Sequence, residues 1–164
     1  KGNTLNMQKK YEEAIVCINK SLKIESTLDA YSAKGNTLNM QKKYEEAIVC
    51  YDECLKIDSE NVNALADKGN TLRRWGKYED AIKELDKSIT LNPKFYWSYG
   101  RKIDAYNSWG KYEDAIKVAD IMLEEFPDKE EEIIELFIEI YEKMDDQNMT
   151  QKFKAKLQNL KDLK

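Results

Sequence analysis

Residues 1–17, KGNTLNMQKKYEEAIVC, recur unchanged as residues 34–50. A chain that repeats itself at this range builds one small unit again and again. Each unit buries its apolar side against its neighbours rather than in a single central core. The echo continues as KGNTLRRWGKYEDAI from Lys68 to Ile82 and as WGKYEDAI at residues 109–116. Ala47, Ala81 and Ala115 lie 34 residues apart, and Ala14 precedes Ala47 by 33. The one-residue shortfall falls near Ser26-Thr27, where a turn absorbs it.

Within a unit the apolar residues keep helical spacing. Tyr44, Ala47, Ile48, Tyr51, Cys54, Leu55 and Ile57 recur at intervals of three and four and form one stripe. Each unit therefore reads as two helices, about 28–41 and 43–57 in the first complete copy. A tight turn at Gln41-Lys42-Lys43 joins them, and its later counterparts are Trp75-Gly76-Lys77 and Trp109-Gly110-Lys111. Pro93 and Pro127 stand at the same point of successive copies, where proline stops one helix and suits the first turn of the next. No alternating run of strand length occurs, so the expected fold is all-α.

These residues resemble the tetratricopeptide repeat family, a 34-residue helix–turn–helix unit. The family's small residue at the helix crossing is similar to Gly2, Gly35 and Gly69. Its aromatic early in the second helix matches Tyr11, Tyr44, Tyr78 and Tyr112, and its next small residue matches Ala14, Ala47, Ala81 and Ala115. A later small position matches Ser21, Cys54 and Ser88, with Met122 in the fourth copy. The closing proline matches Pro93 and Pro127, with Ser26 and Ser59 in its place earlier. The resemblance implies a right-handed superhelical solenoid of about four and a half units, whose first helices line a concave groove that binds an extended peptide or a partner helix.

The match covers residues 1–127; residues 128–164 read as a degenerate terminal helix pair, with Phe137 at the glycine position and Asp146 at the tyrosine position. Ile103 replaces glycine in the fourth unit and is expected to wedge its helices apart. Lys1-Gly2 falls in mid-helix with no initiating methionine, so the first unit reads as partial and the chain as a piece of a longer array.

Composition excludes several chemistries. There is no histidine, which removes imidazole bases and histidine-ligated metal sites. The six glycines form no phosphate-cradling motif. Cys17, Cys50 and Cys54 lack CxxC spacing and read as reduced, partly buried thiols of a cytoplasmic protein. A net charge of −4 gives no footprint for nucleic acid, and no apolar stretch nears a membrane span. No enzyme activity, cofactor or metal is expected. Residues 128–146 carry nine acids against two lysines and residues 150–164 five lysines against one aspartate, which predicts a helix pair with complementary faces.

The expected function is a protein–protein interaction scaffold. Helical phase places Asn3 and Met7, then Asp29, Ser32, Asn36, Asn39 and Met40, then Asn63, Ala66, Asn70, Arg73 and Arg74, and finally Trp97, Gly100, Arg101, Asp104, Asn107 and Ser108 on the groove. Asn3, Asn36 and Asn70 form an amide ladder, read either as family consensus or as peptide-backbone contacts. The three arginines, against 24 lysines, all fall on inner helices of adjacent units. Guanidinium suits carboxylate recognition, so Arg73 and Arg101, flanked by Trp97, Asn70 and Asn107, are expected to receive an acidic side chain or a chain-terminal carboxylate. The competing reading pairs these arginines internally with Asp67 or Asp104. Family members that clamp chaperone carboxylates use two lysines, two asparagines and an arginine. This chain keeps Asn36 and Arg101 there but has Ser32, Asp67 and Trp97, so the resemblance does not extend to that clamp. Trp75 and Trp109 are expected to pack on the following unit. The alternative function is end-to-end self-association through uncapped repeats.

Overall fold

The computed structural model describes residues 2–24 and 27–162; in the first helix it describes the side chains of residues 9–20 and 22 only. The expectations for Gly2, Asn3, Met7, Ser21 and Ser26 therefore lie outside the described side chains. The described residues form nine α-helices: α1 (Gly2–Ile24), α2 (Leu28–Met40), α3 (Tyr44–Ile57), α4 (Val62–Arg74), α5 (Tyr78–Leu91), α6 (Tyr96–Trp109), α7 (Tyr112–Glu125), α8 (Glu130–Lys143) and α9 (Gln147–Asp162). A single 3₁₀ turn, Pro127–Lys129, precedes α8. From Leu28 on, the helices pair as antiparallel units stacked into a solenoid.

The turn inside each unit is the same device. Lys42, Gly76 and Gly110 take positive φ values of 63, 85 and 78°. The next residue's amide then reaches back to a carbonyl five residues earlier: Lys43 to Leu38, Lys77 to Leu72 and Lys111 to Tyr106, each at 2.9 Å. In the last pair the turn comes one residue later, at Asp145, with Asp146 bonding back to Tyr141 at 3.0 Å. That shift moves Asp146 from the expected tyrosine position to the residue before α9. There its carboxylate accepts the Met149 amide at 3.0 Å and caps the helix.

The first unit departs from expectation. Residues 2–24 are one helix of 23 residues with no turn at Gln8-Lys9-Lys10, although the same seventeen residues make a helix, a turn and a second helix at 34–50. The second copy requires Lys42 to sit in the left-handed region, which costs a non-glycine residue roughly 1–2 kcal/mol. Tertiary contacts offset that cost there. Tyr51 is fully buried against α2, and its hydroxyl donates to Asn36 Oδ1 at 2.8 Å. The identity ends one residue too soon for this: Ile18 stands where the second copy has Tyr51, so the hydroxyl bond cannot form.

Helix crossings are filled by exchanging bulk between partners. Tyr51 faces Gly35, and Leu85 faces Gly69. In the fourth unit Ile103 is fully buried, and Ala119 holds the position of Tyr51 and Leu85. The bulk has changed sides, and α6 and α7 pack less closely than α2 and α3 or α4 and α5. In the terminal pair Phe137 is met by Phe153, their rings stacked at 4.7 Å. Lys154, Lys156 and Lys161 of α9 pair with Glu142, Glu130 and Glu135 of α8, which realises the complementary charge of that pair.

Candidate peptide-binding groove

Alternate helices settle which face is concave. Neighbours α2 and α4, and α4 and α6, pack against one another, whereas α3 and α5 or α5 and α7 make no comparable approach, and α8 joins α6 through the Tyr96 hydroxyl, which donates to Glu132 at 3.2 Å. The even helices therefore form the inner layer, and their outward positions line the groove. Ion pairs that tie units together lie elsewhere: Lys68 meets Asp52 at 2.8 Å and Glu84 at 3.4 Å, and one repeat later Lys102 meets Asp86 at 2.6 Å.

The expected groove residues share this face but not one role. Arg73 is held in place: its Nε and one terminal nitrogen donate to Asn70 Oδ1 at 3.2 and 3.0 Å, and its other nitrogen reaches Ser108 Oγ at 3.4 Å. Arg74 donates to Asn39 Oδ1 at 2.7 Å and lies over the Tyr44 ring at 5.7 Å, linking α4 to α2. Arg101 differs. Among the described residues it makes no hydrogen bond or ion pair, and its guanidinium lies 5.9 Å from the centre of the Trp97 ring. Trp97 itself is 64% exposed.

Neither expected partner acid reaches ion-pair distance of an arginine among the described residues. Burial pushes the Asp67 carboxyl up, while Asn36 and the Arg101 guanidinium pull it back. Burial likewise raises the Asp104 carboxyl, against Arg73 and Arg101. The amide ladder is narrower than expected, since Asn36 Oδ1 is taken by Tyr51 and Asn70 Oδ1 by Arg73. The Asn36 amide is turned toward the Asp67 carboxylate, which leaves the Asn70 amide as the donor of the pair to meet a ligand. Asn107 Oδ1 is buried without a hydrogen-bond partner, so its acceptor does not face the groove.

Between α6 and α8 the inner layer opens into a cleft of about 340 Å³ lined by Trp97, Gly100, Arg101, Asp104, Glu132, Glu135 and Leu136. The sequence marks its α6 wall; its α8 wall, where Glu135 stands one repeat after Arg101, falls in the pair read as a degenerate end, to which no groove residue is assigned. Trp109 corrects another expectation: it stacks on Tyr78 of the preceding unit, with ring centres 6.1 Å apart. The thiols divide, with Cys50 and Cys54 buried and Cys17 exposed. Among the described residues no helix is long and apolar enough to cross a membrane.

The tetratricopeptide repeat pattern matches residues 28–61, and a second version of it matches residues 50–83. No curated protein matches the chain. Solved structures share its fold at low identity. MamA is 18% identical with a TM-score of 0.76, over 98% of this chain and 94% of that one. A tetratricopeptide repeat protein from Parabacteroides merdae ATCC 43184 is 18% identical with a TM-score of 0.76, over 96% of this chain and 62% of that one. YrrB, a TPR protein with an unusual peptide-binding site, is 18% identical with a TM-score of 0.66, over 94% and 80%. With the same period and the same turn recurring in each unit from Leu28 on, the chain carries tetratricopeptide repeats over residues 28–83 and has the fold of tetratricopeptide repeat proteins.

Proposed function

We propose that the chain is a non-catalytic interaction module that holds an extended segment of another protein along the layer formed by α2, α4, α6 and α8. The observation that carries this reading is Arg101. Among the described residues it is a guanidinium without hydrogen bond or ion pair, on the concave face and beside an exposed tryptophan, with the Asn70 amide donor on the same layer one repeat earlier. Arg73 and Arg74 are each tied by hydrogen bonds to neighbouring side chains of the inner layer, so carboxylate recognition is assigned to Arg101, for an acidic side chain or a chain end. The peptide site of YrrB, which shares the fold, supports the assignment of a groove. Panning random peptides displayed on phage, then mapping selected peptides by amide chemical shifts, tests it. Shifts on Asn36, Asn70 and Trp97 are expected, and Arg101→Ala should weaken an acidic peptide by about 1.5–3 kcal/mol. Shifts confined to the odd-numbered helices would overturn the reading.

A second reading, self-association, is favoured by α1. Val16 is 53% exposed and Tyr11, Ile15 and Ile18 are only half-buried, whereas the outer face of α9 shows Gln151, Lys152, Gln158 and Asn159. Such contact would join two α1 helices rather than stack head to tail. Light scattering across a concentration series distinguishes a dimer from a monomer.

A further inference from the structure

Four of the five glycines from Gly35 onward are explained by their surroundings. A Cβ on Gly35 or Gly69 would come within 2.7 Å of Tyr51 or Leu85, and Gly76 and Gly110 have positive φ. Gly100 has neither reason. It lies inside α6, where glycine weakens a helix relative to alanine. A Cβ there would meet nothing within 4 Å.

The space that Gly100 leaves open belongs to the cleft between α6 and α8. Its walls combine apolar surface with an excess of negative charge. Trp97 and Leu136 supply the surface, and Asp104, Glu132 and Glu135 oppose the single guanidinium of Arg101. These acids are not equally engaged. Glu132 is taken by Lys129 at 2.9 Å and by the Tyr96 hydroxyl at 3.2 Å. Glu135 has only Lys161, at 3.9 Å, and Asp104 has no hydrogen bond or ion pair among the described residues. A carboxylate placed against Asp104 and Glu135, rather than at Arg101, would meet like charge, and a purely apolar side chain there would leave Asp104 desolvated and unpaired. A long cationic side chain satisfies both demands, because its stem is apolar and its head is charged.

We propose that the α6–α8 cleft is a subsite for a lysine or arginine side chain of the bound segment, its stem along Trp97 and Leu136 and its head toward Asp104 and Glu135. The assignment rests on the groove reading above and deepens it: the preferred segment carries a basic residue in the cleft, beside any acidic residue held by Arg101.

The test is a titration of the ¹⁵N-labelled full chain with acetyl-Gly-Ser-Lys-Ser-Gly-amide and with the same peptide carrying norleucine or glutamate in place of lysine. The lysine peptide should shift the Gly100 amide and the Trp97 indole N–H and bind at least tenfold tighter than either control. Gly100→Leu fills the cleft while favouring the helix, so it should abolish those shifts with no loss of melting temperature. Equal binding of the lysine and norleucine peptides, absent shifts at Gly100, or unchanged binding by Gly100→Leu would each overturn the subsite. The groove reading is separable. If phage-selected peptides still shift α2 and α4 resonances and ignore Gly100→Leu, the groove stands and the subsite falls. If they shift no inner helix, the groove itself falls.

Discussion

The ring of Tyr51 lies so close to Gly35 that a Cβ at that glycine would stand 2.7 Å from Cε1 and 2.9 Å from Cζ. Tyr51 is fully buried, so the ring has no room to withdraw. Gly35→Ala should therefore cost about 1–3 kcal/mol, as overpacking does. Gly69→Ala should cost a similar amount, because Leu85 Cγ stands at 2.7 Å and is equally enclosed. Gly100→Ala should do the reverse and stabilise by about 0.5–1 kcal/mol. Urea unfolding of the three variants checks the set, and a destabilised Gly100→Ala would contradict the open space at that position.

Asp104 predicts a second gain in stability at the groove. Burial raises its carboxyl above the ordinary value of 3.8, more than Arg73 and Arg101 lower it. The folded state thus holds the proton more tightly than the unfolded state does. Whatever stability the group contributes is present below the ordinary value and is lost as pH rises through the raised one. At neutral pH its charge opposes folding. Asp104→Asn should consequently melt higher than the parent at pH 7, and the difference should vanish near pH 3, where both carry a neutral side chain. Thermal melts across pH decide it; a lower melting temperature for the variant at pH 7 would show the carboxylate to be paired.

How much of this was legible in the sequence varies with how local the cause is. The period, the helix bounds from Leu28 onward and the closing prolines follow from spacing and backbone chemistry, and the structure places those elements within a residue or two. The first unit was not legible. Its seventeen residues are identical to a copy that turns, and what sets the copies apart lies outside the identity: Leu28–Ala33 precede the second copy in α2, and Tyr51, bonded to Asn36, follows it where the first has Ile18. Groove membership could be read from phase, but engagement could not: Arg73, Arg74 and Arg101 look alike in sequence. Only the distances separate two arginines that brace the inner layer from one that is unbonded. Gly100 likewise looked like any groove residue until the absence of a neighbour became visible.

Lys68 ties three helices together and should be the lysine most costly to lose. Its side chain is only 17% exposed and reaches Asp52 on α3 and Glu84 on α5, itself largely buried. Lys68→Met keeps most of the stem but leaves Glu84 with Lys87 alone, at 3.2 Å. A loss of about 1–2 kcal/mol is expected, since a largely buried carboxylate then lacks one charged partner. Lys56→Met is the control. Lys56 pairs with Glu53 on the surface, where solvent screens the pair and its loss should be small. Denaturant midpoints compare the two, and equal losses would show that the bridge between units adds nothing beyond an exposed pair.

Cys17 and Cys50 occupy the same place in identical stretches of sequence and should nonetheless react differently. Cys50 faces the interior of its unit and is buried, and burial pushes its thiol up. Cys54, one turn later, is also buried, and the same cause pushes its thiol to about 11. Nucleophilic attack needs the thiolate and a path to it, and both are denied at these two positions. Cys17 lies on α1 with no second helix of its own unit folded over it, and it is exposed. A disulfide reagent at neutral pH should therefore consume one thiol per chain quickly. The other two should react only as fast as the protein unfolds, accelerating with urea in step with the loss of helical signal. If mass spectrometry of the early product found label on Cys50 instead of Cys17, residues 1–17 would have to fold back in solution as their second copy does.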